Sequence, residues 1–298
     1  MGVVILCPGQ GQVPRDLGEQ VLAAGDDLAA AYAGRLGDDA HLDPQAGWAR
    51  LQAALVAVGI GRGRRVLAAL STPERAAEFG PVVAIAGHSL GELTALALGG
   101  ALDPAVAVAL AADRGQAFDD ARHASGDWGD AGMLAISGPT VQNVIEELVD
   151  RHGVTLANDN ADDQVVVSGA GPGLVALAGE ARELGLRAVR LETTGPAHSP
   201  YMAPVVPVFL EAARAVSFGA PATPVYSGLT AAPFTDPPQE LATLITGRVR
   251  WRETLHALAA LSPTHVVDTG PASAMARLAR KTVPDVPAIT LDDLEVAA

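Results

Sequence analysis

The chain has one cysteine, Cys7, and one lysine, Lys281, in 298 residues, and only 4% of it is aromatic. A single cysteine excludes an internal disulfide framework and a cysteine-rich metal site. The most apolar region, Leu93 to Ala112, is broken by Asp103 and Pro104, which argues against a transmembrane span. The N-terminus lacks a basic segment leading into an apolar run, so no signal peptide is expected and a cytoplasmic location is. Positive charge is scarce too: 20 Lys and Arg face 34 Asp and Glu, for a formal net charge of −14. Such a surface repels phosphates and argues against non-specific binding of nucleic acid or anionic membranes. Two local exceptions are Arg62, Arg64 and Arg65, and Arg248, Arg250 and Arg252.

What is present suits a sizeable core, since 49% of the residues are hydrophobic and the length fits one large α/β body with a smaller insert. "GVVILCPGQGQ" opens with a buried strand running into a glycine-rich loop, and alanine-rich helical sequence follows to about residue 70. Strands alternating with helices predict a parallel sheet covered on both faces. From Gly132 the pattern changes. "GMLAIS" reads as a strand, Val141, Val144, Ile145 and Leu148 lie at helical spacing, and "GVTLAN" and "QVVVSG" are strands around a polar turn "DNADD". Leu174, Leu177, Ala178 and Ala181 mark a second helix, and "LRAVRLET" a last strand. The order β-α-β-β-α-β is the ferredoxin-like unit. Residues 129–193 are therefore expected as a small subdomain inserted into a large one made of residues 1–128 and 194–298. The large part resumes with a helix from Ala203 to Val216, the strand "TPVYSG", helices around Leu241 and Leu255, the strand "THVVDTG" and a final helix.

The stretch "VVAIAGHSLGELTALALGG" places Ser89 between a short apolar strand, Val82 to Ala86, and the helical run that starts near Glu92. Gly87-His88-Ser89-Leu90-Gly91 is the G-x-S-x-G frame, in which a tight strand-to-helix turn lifts a serine hydroxyl above the sheet edge. An elbow serine needs a base, and the chain offers His41, His88, His123, His152, His198, His256 and His265. His88 sits inside the elbow, where the turn points it away from the serine. His198 stands where the insert rejoins the body, between Pro196 and Pro200, and a cleft between two subdomains is where a ligand site is expected. His198 is the first choice and His265, near the C-terminal strand, the second.

"CPGQGQ", "GHSLGE", "RGQAF", "ANDNADDQVVVSG", "AHSPYM", "VRWRET" and "DTGP" occur in the order, and near the spacing, of the malonyl-CoA:acyl carrier protein transacylases and polyketide synthase acyltransferase domains, which the chain resembles over nearly its whole length. The resemblance implies an α/β-hydrolase-like large domain with a ferredoxin-like insert, and ping-pong acyl transfer from an acyl-CoA to an acyl carrier protein. It implies Ser89 as nucleophile, His198 as general base, the backbone carbonyl of Leu244 as the group orienting that histidine, and the amides of Gln10 and Leu90 as an oxyanion hole. Arg114 would bind the free carboxylate of a malonyl-type group, Gln52 and Asn160 would line or support the site, and Ala197 would lie beside the substrate's α-carbon. No bound cofactor or metal is implied: CoA thioester is the substrate, and the phosphopantetheine arrives on the carrier protein.

The chain departs from the family pattern in three places. The first loop, "PGQGQ", is one residue shorter, Phe118 replaces a common methionine, and "PAH" precedes the histidine position where an aromatic or a serine is usual. The acyl group is therefore left open. An unusual or carrier-bound acyl group, an editing hydrolase, a malonate decarboxylase subunit and a non-catalytic docking subunit are the rival readings; the last needs no Ser89, His198 and Arg114 together. The two arginine clusters are expected to form a landing surface for an acidic carrier.

Overall fold

β1 (Val3–Cys7) is five apolar residues in a row, every one fully buried. A strand apolar on both faces has to be covered on both, and its side chains alternate between two separate cores. Val3, Ile5 and Cys7 join the larger cluster, while Val4 and Leu6 join the smaller. The computed structural model describes residues 2–11, 13–126, 128–191 and 195–296.

Behind β1 come α1 (Leu17–Ala23), α2 (Asp26–Leu36), α3 (Trp48–Leu70) and α4 (Pro73–Phe79), then β2 (Val82–Gly87), α5 (Gly91–Leu98) and α6 (Pro104–Ala124). The start of α6 is set by Asp103, whose carboxylate accepts the amides of Ala105 at 2.9 Å and Val106 at 3.1 Å, with Pro104 at the first helical position. α3 and α6 pack closely enough that Gly115 on α6 lies against the backbone of Trp48 and Ala49.

The insert runs β3 (Gly132–Ser137), α7 (Val141–His152), β4 (Thr155–Ala161), β5 (Gln164–Gly169), α8 (Gly171–Glu183) and β6 (Arg187–Arg190). Its strands form an antiparallel sheet in the order β4-β5-β3-β6. Ile136, Val165 and Val167 from that sheet share a core with Val141, Ile145, Leu148, Leu174 and Leu177 of its two helices. That is the ferredoxin-like order expected from the sequence. Glu192 and Thr193, which close the strand "LRAVRLET", and the expected boundary at 193/194 lie outside the described residues.

The chain then continues through α9 (Val205–Arg214), β7 (Val225–Ser227), β8 (Ala232–Pro233), α10 (Pro237–Leu244), α11 (Trp251–Ala259), β9 (His265–Asp268), α12 (Ala274–Thr282), β10 (Ala288–Thr290) and α13 (Leu291–Val296). The second sheet has the order β10-β9-β1-β2-β7-β8, parallel except for the β7–β8 edge pair. No described helix is long and apolar enough to cross a membrane.

Two expectations change. The turn "DNADD" shrinks to Asp162 and Asp163, because Asp159, Asn160 and Ala161 belong to β4. Tertiary contacts hold those polar residues extended: the Asp159 amide donates to the Val249 carbonyl at 2.9 Å, and the Val249 amide to the Ala157 carbonyl at 2.8 Å. The Asp159 carboxylate, buried, accepts Nε and Nη2 of Arg252 and Nε2 of Gln142. After "THVVDTG" the chain forms not one helix but α12, β10 and α13. β10 is three residues long, too short to show alternation, and is defined by pairing with β9. α4 lies beyond the helical sequence expected to end near residue 70; Thr72 accepts the Arg75 amide and separates it from α3.

Glycine matters where the backbone crowds. A Cβ on Gly91 would lie against the Cys7 carbonyl and 2.6 Å from the Pro8 carbonyl oxygen, whereas one on Gly34 in α2 meets nothing within 4 Å. Gly91→Ala is expected to lose at least about 2 kcal/mol in urea unfolding, since backbone cannot yield as a side chain does. Gly34→Ala is expected to gain about 0.5–1 kcal/mol by relieving helix entropy.

Candidate active site

β2 and α5 are joined by the turn that carries Ser89, and Ser89 has φ +53°, a left-handed conformation that L-residues adopt at a cost. The turn is so tight that a Cβ on Gly87 would collide with the backbone of Gly91. The first loop passes just as closely, because a Cβ on Gly9 would meet the His88 carbonyl. Gln10 is thereby held beside the elbow, and Gln10, Ser89 and Leu90 line one cleft.

Ser89 Oγ lies 2.8 Å from Nε2 of His198. The other ring nitrogen, Nδ1, is 2.7 Å from the Leu244 carbonyl and 3.1 Å from the Gly247 carbonyl. Carbonyl oxygens only accept, so Nδ1 carries the hydrogen and Nε2 is left to accept the serine proton. The His198 backbone is also left-handed, φ +58°, and its amide donates to the Ile245 carbonyl at 3.0 Å. The turn after α10 thus holds both the ring and the backbone of this residue. His198 is 3% exposed, and burial with the nearby Arg114 charge lowers its pKa to about 4, against the opposing pull of the two carbonyls.

Arg114 projects from the middle of α6 and is 7% exposed. Its Nη1 donates to Gln52 Oε1 at 2.7 Å, and its guanidinium stands 4.6 Å from the centre of the Phe118 ring, which packs against Trp48 at 5.0 Å. Burial lowers its pKa to about 10, which leaves it charged at neutral pH. The cation is thus held by a neutral amide and an aromatic face, and Gln52, on α3, is fully buried.

The remaining expected residues gather on the same cleft, of about 470 Å³, which is walled by the insert's sheet and by the loops that follow β1, β2 and β9, and is lined by Ala197 and Asn160 among others. Asn160 reaches it from β4, and its Oδ1 lies 2.8 Å from Nε2 of His88. His88 is turned from Ser89 toward the insert, edge-on to Trp251. Of the seven histidines only His88 and His198 line the cleft; His265 packs on Phe79 elsewhere. Gln12, at the shortened first loop, lies outside the described residues.

The arginine clusters do not form free positive surface. Arg64 pairs with Asp27, Arg65 with Glu295, Arg248 with Glu146, Arg250 with Glu253 and Arg252 with Asp159. Arg62 donates to the carbonyls of Thr269 and Gly270, with Asp292 at 3.6 Å. Clustering in sequence did not reveal these carboxylates, most of which come from distant segments. The Gly247 carbonyl, Trp48 and Glu92 also escaped the sequence reading; Glu92 stands three residues after Ser89 on a helix, a spacing that could have flagged it.

A strand-turn-helix serine paired with a carbonyl-oriented histidine on a two-subdomain α/β fold defines the class. The family model for the acyl transferase domain matches residues 4–296, and the chain belongs to that family of acyltransferases. It is 32% identical over 206 residues to the malonyl CoA-acyl carrier protein transacylase of Synechocystis, covering 68% of this chain and 67% of that one. It is 29% identical to the protein of that name from Mycobacterium bovis, over 96% of this chain and 95% of the other. Among solved structures, the acyl-carrier-protein-S-malonyltransferase of Bartonella henselae superposes with TM-score 0.84 at 27% identity, covering 100% of this chain and 98% of that one.

The lowered pKa of His198 gives a pH test. The neutral ring is the base, so a folded pKa near 4 keeps it competent far below the ordinary histidine value. Modification of Ser89 by phenylmethylsulfonyl fluoride should keep a nearly level rate between pH 7.5 and 5.5, where an unperturbed histidine would lose about tenfold. Arg114→Gln removes a positive neighbour and should move the midpoint upward; a wild-type midpoint near 6.5 rejects this account.

Proposed function

We propose that the protein transfers a malonyl group, or a close carboxyacyl relative, from CoA to the phosphopantetheine thiol of an acyl carrier protein through an ester on Ser89. The observation that carries this reading is the buried Arg114 in the cleft that holds Ser89 and His198, satisfied by an amide rather than a carboxylate. A planar cation so placed suits an acyl group that ends in its own carboxylate. The names of the relatives point the same way.

In the first half-reaction Ser89 Oγ gives its proton to His198 Nε2 and attacks the thioester carbon. The oxyanion is met by the amides of Gln10 and Leu90, the latter at the N-terminal end of α5, where helix amides lack partners within the helix. Collapse breaks the C–S bond, and the imidazolium returns the proton to the departing CoA thiolate. In the second half, His198 takes the proton of the carrier's thiol, the sulfur attacks the Ser89 ester, and the proton goes back to Ser89 Oγ. The Leu244 carbonyl carries no charge, so it orients the ring while leaving it neutral at rest. Arg277 also lines the cleft and suits the phosphates of CoA and phosphopantetheine, whereas Arg62 and Lys281, on the same cleft, are engaged by the Thr269 and Gly270 carbonyls and by Asp163.

Intact-mass measurement after mixing with malonyl-CoA is expected to show a malonyl adduct on the wild type and none on Ser89→Ala. Acetyl-CoA should label more slowly. Arg114→Ala should reduce kcat/KM for malonyl-CoA by about 10- to 100-fold, the worth of a charge-assisted pair, while leaving acetyl labelling equal or faster. Rapid hydrolysis of the adduct in the absence of carrier protein would favour the editing hydrolase instead.

A further inference from the structure

Arg114 borders two cavities. One is the cleft; the other is a small cavity of about 10 Å³, lined also by Ser89, Leu90, Glu92, Leu241 and Leu244, with room for about one water molecule. Glu92, on the first turn of α5, is fully buried. Its Oε1 accepts the Gly228 amide at 2.6 Å and faces the Ser227 hydroxyl at 3.5 Å. Its Oε2 has no hydrogen-bond partner among the described residues. A buried carboxyl with one unsatisfied oxygen, beside a small cavity whose otherwise apolar wall (Leu93 and Phe209 complete it) is broken by Ser89, Glu92 and the Arg114 cation, calls for a bridging group.

We propose that Glu92 is the proton-accepting counter-charge of Arg114, joined to it across this cavity by one water, so that a carboxylate arriving at Arg114 from the cleft draws a proton onto Glu92. This rests on the reading of Arg114 as the acyl carboxylate's partner. The charged groups acting on Glu92 are Glu240 from α10 and Arg114 from α6, while the end of β7 contributes only the Ser227 hydroxyl and the Gly228 amide. Burial and then Glu240 push the carboxyl well above the usual carboxylate range, while the Gly228 amide and Arg114 pull it down. A substrate carboxylate offsets the Arg114 field, and the balance tips toward the protonated form. The proton comes from solvent and ends on the Glu92 carboxyl; no covalent bond to carbon changes. Glu92 is a positioning residue, since it touches Arg114 through water and never the acyl group.

The test uses the Ser89→Ala protein, in which CoA thioesters bind without reacting. Calorimetric titrations with malonyl-CoA and acetyl-CoA, in two buffers of different ionisation enthalpy, count the protons taken up. Malonyl-CoA is expected to bring net proton uptake that grows between pH 6.5 and 8.5 as the raised carboxyl of the free protein ionises, with Kd rising by up to about tenfold per pH unit in step with it, and acetyl-CoA none. Adding Glu92→Gln, whose amide oxygen can still accept the Gly228 amide, should abolish the uptake and flatten the slope. A preference for malonyl-CoA without uptake, or uptake unchanged by E92Q, overturns the proposal alone. Equal Kd values for the two thioesters would instead overturn the carboxylate reading of Arg114, and the inference with it. Infrared difference spectra with ¹³C-labelled glutamate provide a readout that needs no Glu92 variant: a protonated glutamic acid band must appear on malonyl-CoA binding, and its absence overturns the proposal.

Discussion

Everything at the cleft depends on the Leu244 carbonyl 2.7 Å from Nδ1 of His198. That contact selects one tautomer, and with it the direction in which the serine proton can move. A carboxylate in the same place would hold the ring equally well and stabilise the imidazolium, raising the histidine's pKa. A neutral carbonyl leaves burial and the Arg114 charge in control, and the base stays uncharged. The turn after α10 is thereby bound to the elbow, although 46 residues separate the two partners of the bond.

The same economy of charge governs Arg114. An isolated buried cation costs far more than a surface one, and here its environment supplies an amide oxygen, an aromatic face and, farther off, the Glu92 carboxyl. None of these neutralises it by direct ion pairing, so its charge remains available to a ligand. By contrast, the arginines at 64, 65, 248 and 250 are held by carboxylates at partly exposed positions, where ion pairs contribute little and mainly settle side-chain orientation. The site's cation and the surface's cations share a residue type and do opposite things.

β4 of the insert meets α11 and the turn after β2 at a polar seam. Asn160 contacts His88, and Asp159 contacts Arg252 and the backbone of Val249. Polar residues therefore occupy the end of β4, where a reading by hydrophobic alternation expects a turn. The stretch's side-chain partners His88 and Arg252 lie about 70 to 90 residues away in the chain, beyond any local pattern, while the ladder to β5 extends the backbone that a turn would have bent. β10 escaped for a related reason: three residues show no period, and only the ladder to β9 makes them a strand.

Local sequence was enough for whatever is enforced locally. The buried β1, the glycine-framed bend at Ser89, the capped start of α6 and the β-α-β-β-α-β order of the insert follow from apolar period, steric demand and capping within a few residues of each element. Family motifs added which serine, histidine and arginine belong together. Tertiary structure alone decided what those groups feel: the 2.8 Å approach of Ser89 to His198, the carbonyls behind the ring, the amide and aromatic face around Arg114 and the carboxylates that cancel the arginine clusters. Hydrogen bonds and fields act over a few ångströms of space, whichever residues the fold brings there, and separation along the chain carries no measure of that distance.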